Sequence, residues 1–358
     1  MTEPTLVIAE AGVNHNGSLA RALQLVDVAA DARADVVKFQ TFKAAKLATA
    51  AAARADYQVQ NMQEAGNQLG MLARLELSVD DHHALLQRCR ERGIRFMSTG
   101  FDAEALAFLS TLGMPAIKLP SGDITCGPLL LQAARLRQPL IVSTGMSTVG
   151  EIEDALGVLA FGLSTDREPT GQADFVAAYC SAAGRQALRE HVTLLHCVTQ
   201  YPAPPEAINL RAMDTMAAAF GLPVGYSDHT LGIEVSLAAV ARGATVIEKH
   251  FTLDRSLPGP DHAASLEPAE LRQMVSGIRN IEKALGSTIK GPAAQEMANR
   301  PVARRSLVAA RPLHQGQTIG VADLGFKRPG TGISPMDFWA VVGRPALRDF
   351  DADELIET

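Results

Sequence analysis

Residues 223–252 read PVGYSDHTLGIEVSLAAVARGATVIEKHFT, and this stretch decides the fold. Two short apolar runs, Pro223 to Gly225 and Ala244 to Ile247, flank a helix-like segment from Ile233 to Ala241 that ends at Gly243. That is one strand–helix–strand unit, with His229 and His250 just beyond the C-terminal ends of neighbouring parallel strands. In a closed barrel of such units, catalytic residues gather on that rim. Two imidazoles there can hold a divalent metal and leave positions open for a substrate oxygen. The stretch therefore predicts an enzyme, and a metal-assisted one.

Outward from this unit, strand-like runs recur with helical stretches between them: Thr5–Glu10, Val36–Gln40, Arg95–Ser98, Ala116–Leu119, Leu140–Ser143, Thr193–His196, Pro223–Ser227 and Thr245–Lys249. Eight such runs predict an α/β protein built on a (β/α)₈ TIM barrel. The Gly-rich dinucleotide fingerprint of an open doubly wound sheet is missing after the first run. Ser78-Val79-Asp80-Asp81 and Thr148-Val149-Gly150-Glu151 read as helix-starting capping boxes, and Asn16-Gly17 as a turn. Residues 164–190 are long for one connection and predict an extended fifth helix or one extra surface helix. His82-His83, Arg88, Arg90 and Arg92 read as a solvated helix face.

Composition changes after Gly286. Residues 1–286 are the predicted barrel, 287–303 an aperiodic linker, and 304–358 a small β-rich domain. Strand-like pieces Ser306–Ala310 and Thr318–Ile319 precede the turn-rich Lys327-Arg328-Pro329-Gly330-Thr331-Gly332. A tail that small is expected to lean on the barrel or on a second subunit.

The chain has 358 residues, 47% apolar and 20% charged, and a net charge of −6. That balance argues against nucleic-acid binding. The apolar runs are too short for a membrane span, and the N-terminus lacks the basic region of a secretory signal. Cys89, Cys126, Cys180 and Cys197 are scattered, as for reduced cytoplasmic thiols.

Each predicted strand ends in polar residues that would converge on one pocket. Glu10 ends the first and is followed by Asn14-His15-Asn16; Lys38 and Gln40 alternate about Phe39 on the second. Thr99, Lys118, Ser121, Asp123 and Ser143 follow, then His196, Cys197, Thr199 and Tyr201, and finally Ser227, Asp228, His229, Lys249, His250 and Asp261. Lys38 and Lys118 with the hydroxyls of Thr99, Ser121 and Ser143 form a cradle for phosphate and carboxylate. Glu10, Asp123 and Asp261 are candidates for acid–base work or for orienting a substrate hydroxyl. Blander readings stand beside these. Asp123 can cap a helix, Asp228 can brace its loop, Cys197 can be packing, and His196 is balanced between supporting the site and filling the core.

The segments Ile8-Ala9-Glu10-Ala11-Gly12-Val13-Asn14-His15-Asn16-Gly17, Val37-Lys38-Phe39-Gln40-Thr41-Phe42-Lys43, Tyr226-Ser227-Asp228-His229-Thr230, Glu248-Lys249-His250-Phe251-Thr252 and Gly259-Pro260-Asp261-His262 resemble bacterial sialic acid synthases. That family includes N-acetylneuraminate synthase and N,N′-diacetyllegionaminate synthase. Lys327 to Pro335 resembles their C-terminal SAF, or antifreeze-like, domain. The resemblance implies a homodimer in which each tail caps the partner's site. It implies condensation of phosphoenolpyruvate with an N-acyl mannosamine-type sugar and water, releasing phosphate by C–O cleavage. By resemblance, His229 and His250 hold a divalent metal, commonly manganese, with magnesium and cobalt as alternatives. Lys38, Thr99, Lys118, Ser121, Ser143 and Ser227 would bind phosphoenolpyruvate. Glu10, Gln40, Tyr201 and Asp261 would bind the sugar, with Thr199 beside them and Arg328 reaching over from the other subunit. Asp123 stands where the family has a Glu proposed as an acid–base residue, and Gly100 where it has a Pro.

The sugar is open between N-acetylmannosamine and, in the legionaminate branch, 2,4-diacetamido-2,4,6-trideoxymannose. Two other readings remain: a synthase of seven- or eight-carbon keto acids, which the SAF-like tail opposes, and a non-catalytic sugar-binding paralogue, which only Asp123 supports.

Overall fold

A computed structural model describes residues 4–55, 58, 59, 61 and 66–357 of the chain. Two compact units, Met1–Gly286 and Ser287–Thr358, divide it. In the first, eight parallel strands close into a barrel in sequence order: β1 Leu6–Gly12, β2 Val36–Thr41, β3 Arg95–Gly100, β4 Ile117–Leu119, β5 Leu140–Ser143, β6 Val192–Cys197, β7 Val224–Asp228 and β8 Val246–His250. All eight predicted strands are present, within two residues at each end. The β1 register pairs Glu10 with Lys38 on one side and with His250 on the other. Three polar residues of the predicted site thereby become neighbours in one layer of the barrel.

The apolar core lies between the sheet and the surrounding helices, where alternate strand residues such as Val37, Phe39 and Ile247 are fully buried. Phe39 stacks on Phe96 at 6.1 Å between ring centroids. The intervening strand positions, Lys38 and Gln40 among them, face the barrel axis. Burying a side chain such as Phe39 contributes about 2–3 kcal/mol, so a one-residue slip of β2 would exchange that gain for a buried ammonium in the core.

Helix starts follow the expected capping. Ser78 and Thr148 each accept from the backbone of the third helical residue and receive the reciprocal carboxylate of Asp81 or Glu151. Two readings are corrected. Residues 164–190 hold two further helices, Gln172–Cys180 and Ala182–His191, after the helix Val149–Ser164; Ser181 caps the second and breaks the run in two. His82 is buried rather than solvated, because Thr41 Oγ1 lies 2.7 Å from its Nε2 and the Ser78 carbonyl 2.7 Å from its Nδ1. Arg88 and Arg92 remain on the surface, paired with Asp27 and Asp31.

The second unit is built on an antiparallel pair, β9 Ser306–Ala309 and β10 Leu324–Lys327. The turn-rich reading missed β10, whose Phe326 and Lys327 are exposed and supply no apolar alternation. Thr318 makes only an isolated bridge to Pro345. Leu307, Ile319, Phe350 and Ile356 form a small core. Residues 287–303 contain a 3₁₀ turn, Ala294–Asn299, and a short helix, Arg300–Ala303, whose Pro301 carbonyl accepts from Gly330. Among the described residues no helix is long and apolar enough to cross a membrane.

Candidate active site

The C-terminal ends of the barrel strands open into a cavity of about 330 Å³. Glu10, Lys38, Gln40, Thr99, Lys118, Ser121, Ser143, Thr199, Tyr201, Ser227, His229, His250 and Asp261 all line it. Asp123 is outside the lining, and so are Asn14, His15, Asn16, His196, Asp228 and Lys249 of the polar strand ends read from sequence. Convergence from eight strands is what the rim of such a barrel provides.

The floor is a buried ionic cluster. Lys38 Nζ lies 2.6 Å from Glu10 Oε2 and 3.5 Å from Glu248 Oε2, and it donates to Thr99 Oγ1 at 3.0 Å. Lys118 Nζ stands 3.3 Å from Glu248 Oε1, which also accepts from Ser227 Oγ at 2.8 Å. Burial opposes every charge in this cluster. For Glu10 burial wins, lifting its carboxyl above the usual range despite Lys38. For Glu248, Lys118 and Lys38 outweigh burial and hold the carboxyl below that range. Burial also draws the Lys118 ammonium below its ordinary value. One carboxylate is thus kept ionised while its neighbour is poised to exchange a proton.

Glu248 was missed as a site residue, although the strand period had the signal. It lies two residues before His250 and must share its face, whereas Lys249 cannot. Lys249 lies on the far side, fully buried, 3.0 Å from Asp228 and donating to the Thr230 carbonyl. Asp228 braces its loop by accepting from Thr230 N and Ser236 Oγ. His196 is half-buried and outside the cavity lining, with its Nε2 2.6 Å from the Ile208 carbonyl and its ring against Tyr226. Cys197 is both packing and lining: its Sγ is 3.1 Å from Ser121 Oγ, and it borders the cavity. A Cβ on Gly145 would fall 2.4 Å from Thr199 Oγ1 and 2.8 Å from Ser121 Oγ, so this hydroxyl cradle closes only around glycine.

The two histidines present a ligand pair. Their ring centroids are 5.6 Å apart, with the Tyr201 ring 4.0 Å from that of His229. His229 Nδ1 lies 2.7 Å from the Val198 carbonyl; that contact assigns the proton to Nδ1 and leaves Nε2 as acceptor. His250 Nδ1 is buried without a hydrogen-bond partner, 4.0 Å from Asp261 Oδ2. Burial lowers both imidazoles, His229 to about 4, so the neutral ligating form prevails at pH 7. Burial raises Asp261 to about 7. The donor set fits a divalent cation. Among the described residues no cluster of three His, Cys, Asp or Glu has metal-holding geometry, so water and substrate would complete the coordination.

Asp123 ends a 3₁₀ turn, Ser121–Asp123, half-buried, with one buried oxygen that lacks a partner. Burial raises its carboxyl to about 6. The folded chain therefore holds this proton more tightly than the unfolded chain, and stability falls as pH rises from about 4 through about 6. Asp123→Asn is expected to gain on the parent across that window by about 1 kcal/mol after allowance for solvent screening, and to match it below pH 4. Thermal unfolding of both proteins from pH 3.5 to 8 measures this; parallel curves would refute it.

A family model described as NeuB family matches residues 25–290, and one described as SAF domain matches residues 304–358. The chain belongs to the NeuB family. Two relatives span nearly all of it. The N,N′-diacetyllegionaminic acid synthase of Campylobacter jejuni is 45% identical over 98% of both chains. That of Legionella pneumophila is 46% identical over 94% of this chain and 89% of the relative. The crystal structure of the N-acetylneuraminic acid synthetase of Leptospira borgpetersenii in complex with citrate superposes with a TM-score of 0.66 at 33% identity, covering 83% of this chain and 90% of that one. Membership in the NeuB family with a SAF tail confirms the family resemblance of the sequence and its (β/α)₈ reading. Arg328 lies in the SAF unit, where its Nε donates to the Ala303 carbonyl.

Proposed function

We propose that this protein condenses phosphoenolpyruvate with 2,4-diacetamido-2,4,6-trideoxymannose and water to give N,N′-diacetyllegionaminic acid and phosphate. The buried ionic floor carries the reaction class. Lys38 and Lys118, with the hydroxyls of Thr99, Ser121, Ser143 and Ser227, hold the phosphate and carboxylate of phosphoenolpyruvate. Carbon 3 of phosphoenolpyruvate attacks the aldehyde carbon of the open-chain sugar, water adds at carbon 2, and the tetrahedral intermediate expels phosphate by C–O cleavage. Glu10, lifted by burial and 2.6 Å from Lys38, takes up or returns a proton beside the reacting carbons. Gln40, Tyr201 and Asp261 orient the sugar hydroxyls. A divalent cation, manganese in this reading with magnesium or cobalt as alternatives, would be held by His229 and His250 and would supply Lewis-acid polarisation of the aldehyde.

Two observations favour the legionaminate branch over N-acetylmannosamine. Both relatives identical at 45–46% carry that activity in their names. Val13, Met71, Leu72, Leu75 and Phe101 also give the cavity an apolar wall above β1 to β3. A 6-deoxy methyl group fits such a wall, and a 6-hydroxyl there would lose its hydrogen bonds with water. The protein would work in the cytoplasm, where its free cysteines stay reduced. It would work as a homodimer in which Arg328 of one subunit reaches the N-acyl group bound by the other.

Phosphate release with manganese and each sugar in turn tests this reading. The trideoxy sugar is expected to show a kcat/KM about 10–100-fold higher. Equal or better use of N-acetylmannosamine would overturn the branch, and no release with either sugar would overturn the synthase.

A further inference from the structure

The loop after β8 carries Asp261 into the cavity, and its regular structure is limited to a bridge between Phe251 and Leu266 and a 3₁₀ turn, His262–Ala264. A backbone bond between Thr252 and Leu266 and the Arg255 bond to the Ser265 carbonyl close its base, and side chains from the loop after β1 hold the part that carries Asp261. Asn14 Nδ2, buried, donates to the Phe251 carbonyl at 2.7 Å and to Ser265 Oγ at 2.9 Å. Ser265 Oγ in turn donates to the carbonyl of Asp261 at 2.7 Å. Asn16 Nδ2 donates to the Pro258 carbonyl at 2.7 Å, and its Oδ1 lies 3.2 Å from His262 Nε2. The other nitrogen of His262 is 2.7 Å from Thr252 Oγ1, so this ring spans from the end of β8 to the first loop. At Gly259 a Cβ would lie 2.6 Å from the His262 ring and 2.9 Å from Asn16 Oδ1, so the chain passes too close for any side chain. Asn61 adds a bond to the Pro260 carbonyl at 2.7 Å. The carbonyls of Phe251, Pro258 and Pro260 ahead of Asp261 therefore accept from side chains elsewhere in the chain, and beyond it the side chains of His262 and Ser265 meet those of Asn16 and Asn14.

The geometry points to Asn14, Asn16, Ser265 and His262 as positioning residues that set the Asp261 carboxylate against the sugar side of the cavity. None of the four lines the cavity. Asn16 and Ser265 reach the carbonyls of Pro258 and Asp261, Asn14 holds the Ser265 hydroxyl, and His262 bridges Asn16 to Thr252. A clasp of this kind places a substrate-orienting carboxylate that a mobile loop would leave about 1 Å adrift, which positioned catalysis tolerates poorly. The inference rests on the proposed contact of Asp261 with the sugar.

The test uses Ser265→Ala and Asn16→Gly. The first removes one hydroxyl. The second removes only the amide, because Asn16 sits at φ +50°, which glycine adopts freely. Each is expected to raise KM for the sugar about tenfold while KM for phosphoenolpyruvate stays within about twofold. In an Asp261→Ala background, neither substitution should change sugar kinetics further, since residues acting through one group are non-additive. Equal shifts for both substrates, or effects that persist in the Asp261→Ala background, would overturn the clasp. Unchanged sugar kinetics in Asp261→Ala alone would overturn the contact and the clasp together. Should Asn16→Gly fail to fold, Ser265→Ala decides the matter by itself.

Discussion

Lys38→Met is expected to abolish measurable condensation and to destabilise the barrel by about 3–5 kcal/mol at pH 8. Lys38 is the hub of the floor, contacting Glu10, Glu248 and Thr99 while only 2% exposed. Methionine fills similar volume, so the loss comes from charge rather than from a cavity. Two buried carboxylates would be left with Lys118 alone, and its Nζ reaches only Glu248. Glu10, already pushed up by burial, would rise further and take a proton. An acid whose folded value lies above its unfolded value binds its proton more tightly in the fold, so stability falls as pH rises between the two values. Near pH 5 both proteins hold Glu10 protonated and its share of the deficit should be small; that share should open as pH rises above about 7, where the parent's Glu10 ionises and the variant's does not. Urea unfolding at pH 5 and pH 8, with phosphoenolpyruvate titrated into the folded variant at pH 6, measures each part. Binding of phosphoenolpyruvate is expected to weaken by about 10³-fold, since the variant loses a point charge from a water-poor trianion site. Undiminished stability at pH 8 with normal binding would remove the ionic cluster from the account.

His229→Ala is the second large effect, with turnover expected to fall by at least about 10³-fold. The loss should be of a different kind. The His229 ring meets the Val198 carbonyl and the rings of Tyr201 and His250, and hydrogen-bonds to no group of the ionic floor. Phosphoenolpyruvate affinity measured without metal should therefore change by less than about twofold, whereas manganese affinity should fall by about 100-fold or more. Calorimetric titration of manganese into the parent, His229→Ala and His250→Ala separates the two quantities. Full turnover in His229→Ala, or manganese binding equal to the parent in both variants, would refute the ligand assignment.

These effects show where sequence reading reached and where it stopped. The barrel was legible because each βα unit is written locally, as an apolar run, a polar end and a capped helix. Ser78 with Asp81 and Thr148 with Glu151 mark helix starts by contacts three residues apart, which a sequence displays directly. The site residues at strand ends were legible for the same reason, since position at the end of a parallel strand is a matter of order along the chain. Strand β10 was not legible, because Leu324–Lys327 gains its place from pairing with Ser306–Ala309 rather than from its own pattern. The two helices within residues 164–190 were compressed into one because the boundary rests on a single cap, Ser181.

The sequence by itself determined the eightfold order of strands, the residue types at their ends and the placing of His229 and His250 at neighbouring strand ends, all set by spacing within thirty residues or by recurrence of one unit; the family came from the resemblance of motifs spread along the chain. Only the tertiary structure decided which of those polar residues share a charge. Glu248 becomes the partner of both Lys38 and Lys118 because barrel closure brings β2, β4 and β8 to one axis, across separations of 210 and 130 residues. Asn14 and Asn16 likewise meet the loop bearing Asp261 only because closure seats β1 beside β8. Ionisation follows from that placement: burial and the sign of the nearest charge set each carboxyl's proton affinity, and both are properties of the closed barrel rather than of any segment of the chain.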